Sequence, residues 1–147
     1  MNFMEVGSIG KGLITALYCR TAQKCNMGIE AQETMLQHFA EDNNFSNVVI
    51  YSDNGYSGVN FSRPAIHRLQ ANVEAGLVGH LLVKDISRIS RNFQDAHKFL
   101  DGIRRKGVAV RFVIGGFDYY EIVPTMDKLK QAIYQFHIQS KRRVKAL

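Results

Sequence analysis

The chain has 147 residues, is 46% hydrophobic and 22% charged, and carries a net charge of +6. That is enough chain for one domain with a sizeable core. No apolar run nears the ~20 residues that span a bilayer, and the opening MNFMEVGSIGKG lacks the charged start and long apolar stretch of a secretory signal, so membrane and secreted classes drop out and a cytoplasmic protein is expected.

Residues 1–12 read as a leader. Four apolar stretches then read as buried strands: LITALYC (13–19), NVVIYS (47–52), HLLVKD (80–85) and VAVRFVI (108–114). Segments of helical spacing separate them. Residues 28–44 put Ile29, Met35, Leu36 and Phe39 on one side. Residues 63–76 follow Ser62, a candidate N-cap, have Pro64 in the first turn and stop at Gly76. Residues 92–107 carry Phe93, Ala96, Phe99, Leu100 and Ile103 and end at Gly107. The alternation predicts an α/β fold with a mostly parallel sheet of four to five strands, flanked by helices, in a flavodoxin-like topology. Short, fully apolar strands agree, because such strands are covered on both faces. After Pro124, residues 125–147 read as a long C-terminal helix, with Met126, Leu129, Ile133 and Phe136 forming an apolar stripe and a basic end at Lys141, Arg142, Arg143 and Lys145. The expected organisation is a domain over 13–123 followed by this helix over 124–147.

Charge is uneven along the chain. Residues 1–60 hold 3 basic and 6 acidic side chains, a balance of −3; residues 61–147 hold 16 and 7, a balance of +9. A basic half suits a polyanion, because cationic side chains displace counterions from phosphates. The basic helix end suits DNA, a second copy of the chain, or the helix dipole. Cys19 and Cys25 match no redox or zinc spacing and are expected to be reduced. The histidines are scattered without metal-ligand spacing, and GSIGKG precedes its strand and lacks the spacing of a phosphate-binding loop.

Ligands of open α/β sheets bind beyond the carboxyl ends of the strands. There the chain places Arg20, Thr21 and Ala22 after the first strand. Asp53, Ser57 and Arg63 follow the second, Ser87, Arg88, Ser90 and Arg91 the third, and Asp118 the fourth. Residues 53–62 read as a flexible loop rather than a hairpin turn. Arg20, Arg63, Arg88 and Arg91 are expected to converge on one rim. Guanidinium forks match phosphate oxygens and stay charged, and several around one point suit the spread negative charge of phosphoryl transfer.

The motifs YCRTA…IEAQ, YSDNGYSG…SRPAI and VKDISRISRN, in this order and spacing, resemble the catalytic domain of serine site-specific recombinases: resolvases, invertases and large serine integrases. The resemblance runs from about Leu13 to about Asp118 and implies a resolvase-like fold. It also implies site-specific recombination of double-stranded DNA: a serine hydroxyl attacks a phosphodiester, leaving a 5′-phosphoserine link and a free 3′-hydroxyl. It implies no metal, nucleotide or other cofactor, and a homodimer or homotetramer in which subunits exchange. By motif, Arg20, Arg63, Arg88 and Arg91 take the family's arginine positions, Gln32 the glutamine of IEAQ, Asp53 the loop aspartate, and Ser87 the polar position before the arginine pair. The basic helix end would lead to a DNA-reading region.

One position departs. The family pattern Tyr-x-Arg-x-Ser reads here Tyr18-Cys19-Arg20-Thr21-Ala22, so Ala22 stands at the nucleophile position. Three readings stay open: a non-cleaving relative that binds DNA or oligomerises, a serine replaced by substitution, or a neighbouring hydroxyl. Thr21 is the nearest such hydroxyl, but adjacent strand residues point to opposite faces. A small-molecule-binding flavodoxin-like domain would share the alternation, yet no ligand motif accompanies it.

Overall fold

The structure, a computed structural model, describes residues 12–113 and 117–118. Its elements are β1 (Ile14–Thr21), α1 (Asn26–Asp42), β2 (Val48–Asn54), α2 (Pro64–Glu74), β3 (Val78–Val83), α3 (Ile86–Ile89), α4 (Phe93–Arg105), β4 (Ala109–Phe112) and β5 (Phe117–Asp118). The sheet order is β2-β1-β3-β4-β5. The first four strands are parallel, and β5 pairs antiparallel with β4. The expected α/β fold with a mostly parallel sheet is therefore present. The leader and the C-terminal helix, with Lys141, Arg142, Arg143 and Lys145, lie outside the described residues. No helix among the described residues is long and apolar enough to cross a membrane.

Alternation along β1 sorts its side chains onto two cores. Leu17 and Cys19 pack with Ile29, Leu36 and Ala40 of α1 and with Leu82 of β3. Ala16 and Tyr18 face the other way, toward Ala65, Ile66 and Leu69 of α2 and Ala96, Leu100 and Ile103 of α4. Each aliphatic side chain taken fully from water contributes roughly 1.5–3 kcal/mol. One helix thus covers one face and two cover the other.

Helix ends follow local chemistry, with one correction. Pro64 occupies the first turn of α2, and Gly76 and Gly107 adopt positive φ just past their helices, as C-terminal glycines do. Ser62 is not the N-cap. Arg63 takes that position in extended conformation without a side-chain cap bond. The cap comes from across space: the carboxylate of Asp53 accepts the N–H of Ala65 (2.8 Å) and of Ile66 (3.0 Å). Asp53 is therefore on β2, level with Arg20 of β1, and not in the loop expected over 53–62.

The register sets the site. β3 ends at Val83, opposite or beside Tyr18 of β1, while β1 continues to Thr21. Residues 84–91 therefore pass over the carboxyl end of β1. The order of the strands reverses between β1 and β3, which is where open sheets place their ligands.

Candidate active site

Arg20 is the hub. It projects from the Tyr18 face of β1 and is only 1% exposed. Its guanidinium donates Nε to the carbonyl oxygen of Arg88 (3.1 Å), Nη1 to that of Tyr56 (3.0 Å) and Nη2 to that of Ser87 (2.5 Å). Its main chain is pinned by Gln32 of α1. The Arg20 N–H donates to Gln32 Oε1 (3.1 Å), and Gln32 Nε2 donates to the Arg20 carbonyl (3.0 Å). Gln32 thus acts as a strand partner made from a side chain.

Arg63 lies beside it, equally buried. It donates Nε to the Asn60 carbonyl (3.0 Å), Nη1 to the Arg88 carbonyl (2.9 Å) and to the Tyr18 hydroxyl (2.9 Å), and Nη2 to the Ile89 carbonyl. The Tyr18 hydroxyl in turn donates to Asp53 Oδ2 (2.7 Å). Burial, then the bond to Asp53, push the Tyr18 hydroxyl's pKa up. Tyr18 therefore stays protonated, linking an anion to a cation.

Arg88 returns the contact. Its Nη1 donates to the Arg20 carbonyl (2.9 Å), and its Nε lies 3.7 Å from Asp85 Oδ2. That Nε is buried and has no hydrogen-bond partner. Arg91 is exposed, and its main-chain N–H donates to the Gly58 carbonyl (2.9 Å). The Ser87 hydroxyl donates to Asp85 Oδ1. The expected rim therefore resolves into two tiers. Arg20 and Arg63 are a buried scaffold whose bonds go to main-chain oxygens and, from Arg63, also to the Tyr18 hydroxyl. Arg88 and Arg91 are the cations with capacity for an anion.

The cluster is electropositive and short of counter-charge. Burial, then the nearby guanidinium groups of Arg63 and Arg88, lower the Arg20 pKa to about 10. Buried cations without paired carboxylates favour a bound anion. Among the described residues no group of His, Cys, Asp and Glu could hold a metal ion.

Ala22 sits just past β1 and is exposed. The Thr21 hydroxyl is spent elsewhere. It donates to Asn54 Oδ1 (2.8 Å) and accepts the Gly55 N–H (3.2 Å).

Several site residues had little or no sequence signal. Tyr18 opens the Tyr-x-Arg motif, but nothing along the chain showed that its hydroxyl joins Arg63 to Asp53. Tyr56 and Asn60 act through carbonyls, which any residue carries. Gly58 had a signal in YSGV: a Cβ there would lie 2.7 Å from Arg20 Nη2 and 3.0 Å from Arg91 Cγ. The strap over residues 55–60 can lie on the guanidinium only because that position has no side chain.

The profile of the family described as Resolvase, N terminal domain matches residues 15–144. A Bacillus subtilis (strain 168) protein named Putative DNA recombinase is 31% identical over 70 residues, 48% of this chain. The chain spans about 14% of the length of that relative. The N-terminal catalytic domain of TP901-1 integrase superposes with a TM-score of 0.72 at 23% identity, over 87% of this chain and 98% of that one. A resolvase family site-specific recombinase from Streptococcus pneumoniae gives 0.68 at 25% identity, over 91% and 93% of the two chains.

Proposed function

The chain belongs to the family described as Resolvase, N terminal domain, and from that premise we propose that it serves site-specific DNA recombination as a serine recombinase-type catalytic domain acting on double-stranded DNA. The observation that carries this is the arrangement of guanidinium groups. Arg20 and Arg63 hold residues 87–89 by their carbonyl oxygens, and the segment so held carries Arg88 and leads two residues on to Arg91. One buried nitrogen of the cluster, Arg88 Nε, makes no hydrogen bond, its ion pair with Asp85 being 3.7 Å long. A phosphodiester oxygen supplies the missing acceptor.

The family chemistry needs a hydroxyl at position 22. Its oxygen attacks phosphorus, the 3′-oxygen leaves and takes a proton, and the DNA end is kept as a 5′-phosphoserine link. Attack by a 3′-hydroxyl reverses the step and rejoins the strand. The arginines stabilise the charge on the equatorial oxygens. Ala22 has no oxygen to offer, so the chain as it stands holds the phosphodiester without opening it. That methyl group favours a second reading as well: a catalytically inactive DNA-binding or oligomerisation module built on the recombinase framework. In either reading the chain works as a homodimer or homotetramer.

Covalent trapping on a nicked duplex separates the two. The chain as it stands forms no adduct under either reading. With Ala22→Ser, a denaturant-resistant DNA adduct supports the catalytic framework. DNA binding without any adduct after Ala22→Ser leaves the inactive module. In both cases log affinity falls steeply with log salt; a flat response removes the phosphate-holding role.

A further inference from the structure

We propose that Asn54 is the positioning residue for position 22, a role that rests on the recombinase reading of the site. Residues 22–24 form the turn between the end of β1 and the start of α1. Both ends of this turn are tied to one atom. Asn54 Oδ1 accepts the Thr21 hydroxyl (2.8 Å) and the Cys25 N–H (2.8 Å). The other half of the same amide, Nδ2, donates to Asn26 Oδ1 (3.0 Å).

The residues after Asn54 close the remaining side. The N–H groups of Gly55 and Tyr56 both donate to the Thr21 carbonyl, at 3.0 and 2.9 Å. Gly55, at φ +88°, lies against Lys24, where an added Cβ would come within 3.2 Å of the Lys24 nitrogen. The turn is thus wrapped around the Asn54 amide with its two ends fixed. An amide serves all three contacts as they stand. An alanine leaves the Cys25 N–H and the Thr21 hydroxyl without their acceptor, and a carboxylate loses the donor to Asn26.

The turn starts at the pocket. The Arg20 carbonyl, just before it, accepts Arg88 Nη1, and the Tyr56 carbonyl accepts Arg20 Nη1. The Asn54 bonds therefore fix the backbone on both sides of position 22, two residues beyond the Arg20 that anchors the guanidinium cluster. Asn54 touches no reacting atom. It acts through residue 22, where displacements of about 1 Å cost on the order of 100-fold in rate.

The test reads position 22 with a thiol. In the chain carrying Ala22→Cys and Cys25→Ser, the introduced thiol is the accessible one, because Cys19 is fully buried and serine keeps the helix cap. Iodoacetamide alkylation is followed against pH, and amide hydrogen exchange of residues 21–26 in parallel. The expected thiol midpoint lies below the ordinary ~8.5, because guanidinium groups favour the thiolate. Adding Asn54→Ala raises the midpoint by about one unit, a tenfold loss of thiolate below it, and speeds exchange at residue 25. Thr21→Val shifts both readouts the same way by less.

A midpoint that stays put while exchange accelerates makes Asn54 structural only and overturns the proposal. No change in either readout overturns it too. An ordinary midpoint before Asn54 is altered means that no guanidinium faces position 22; that result overturns the recombinase reading of the site and this proposal with it.

Discussion

Arg20 and Arg88 hold each other through their main chains: Arg20 Nε donates to the Arg88 carbonyl (3.1 Å), and Arg88 Nη1 donates to the Arg20 carbonyl (2.9 Å). A lysine has no fork to span the three carbonyls that Arg20 serves: the Arg88 carbonyl keeps its bond from Arg63 Nη1, while the Ser87 and Tyr56 carbonyls are left to compete for one ammonium. Arg20→Lys is expected to cost about 3 kcal/mol of stability, read from the urea midpoint at constant slope. A loss under about 0.5 kcal/mol, the range of an ordinary surface change, contradicts the scaffold role.

Arg91 belongs to the exposed tier and contributes to the fold chiefly through its main-chain N–H. Arg91→Ala is expected to leave stability within about 0.5 kcal/mol. DNA affinity should fall across all sequences, with the salt slope reduced by about one contact. Titrations of parent and variant at several salt concentrations check this, and parallel salt lines would remove Arg91 from the phosphate contacts.

Gly58 supports the strap on a guanidinium that is itself held by three bonds and cannot swing aside. Gly58→Ala introduces a methyl 2.7 Å from Arg20 Nη2. It is expected to cost roughly 1–3 kcal/mol, as overpacking does, and to weaken DNA binding by displacing Arg91. Urea unfolding with a binding titration checks both. Gly102 offers the control, since nothing lies within 4 Å of a Cβ there.

Asp53 serves three donors at once: the Tyr18 hydroxyl and the N–H groups of Ala65 and Ile66. Asp53→Ala strips the cap from α2 and leaves Tyr18 without its acceptor, at an expected cost of about 2–4 kcal/mol. Asp53→Asn keeps part of the cap and costs less. Thermal or urea unfolding of the pair gives the order, and equal losses would assign the whole effect to the charge.

Cys19 is buried and Cys25 is exposed. Burial, then the Glu33 carboxylate, push the Cys19 thiol up to about 12 from 9.0. The folded state thus keeps a proton that the unfolded chain gives up. Its contribution is complete below pH 9 and is lost as pH rises toward about 12, with a limiting slope of about 1.4 kcal/mol per pH unit. Urea midpoints from pH 8 to 10.5 should fall more steeply for the parent than for Cys19→Ala. In the native chain at pH 8, a thiol reagent should modify Cys25 rapidly and Cys19 only on unfolding.

The elements that bury apolar side chains on a regular period were legible. Ile29 and Leu36 mark α1, Ala96, Phe99, Leu100 and Ile103 mark α4, and the strands appear as short apolar runs. Gly76 and Gly107 mark helix ends because few other residues accept their φ. The cap of α2 was not legible, because it comes from Asp53 on a different element and Ser62 is the nearer oxygen in sequence. The site residues were legible as arginines at strand ends, yet their division into buried and exposed tiers was not. That division depends on the register by which β3 stops short of β1, and strand ends are the least determined part of an apolar run. Asn54 was invisible in its role, since one side-chain oxygen serving two distant donors leaves no pattern along the chain.

The scaffold arginines grip residues 87–89 by carbonyl oxygens alone. A carbonyl oxygen is common to all twenty amino acids, so the shape of this segment is insulated from the identity of its side chains. Apart from proline, whose ring resets the backbone, replacements at 87 or 89 that fit their surroundings leave the grip intact. The segment can therefore change its chemistry over generations while presenting position 88 at an unchanged point in space. Such drift is closed to Arg20 and Arg63, because the grip depends on the reach and forked donors of their own side chains.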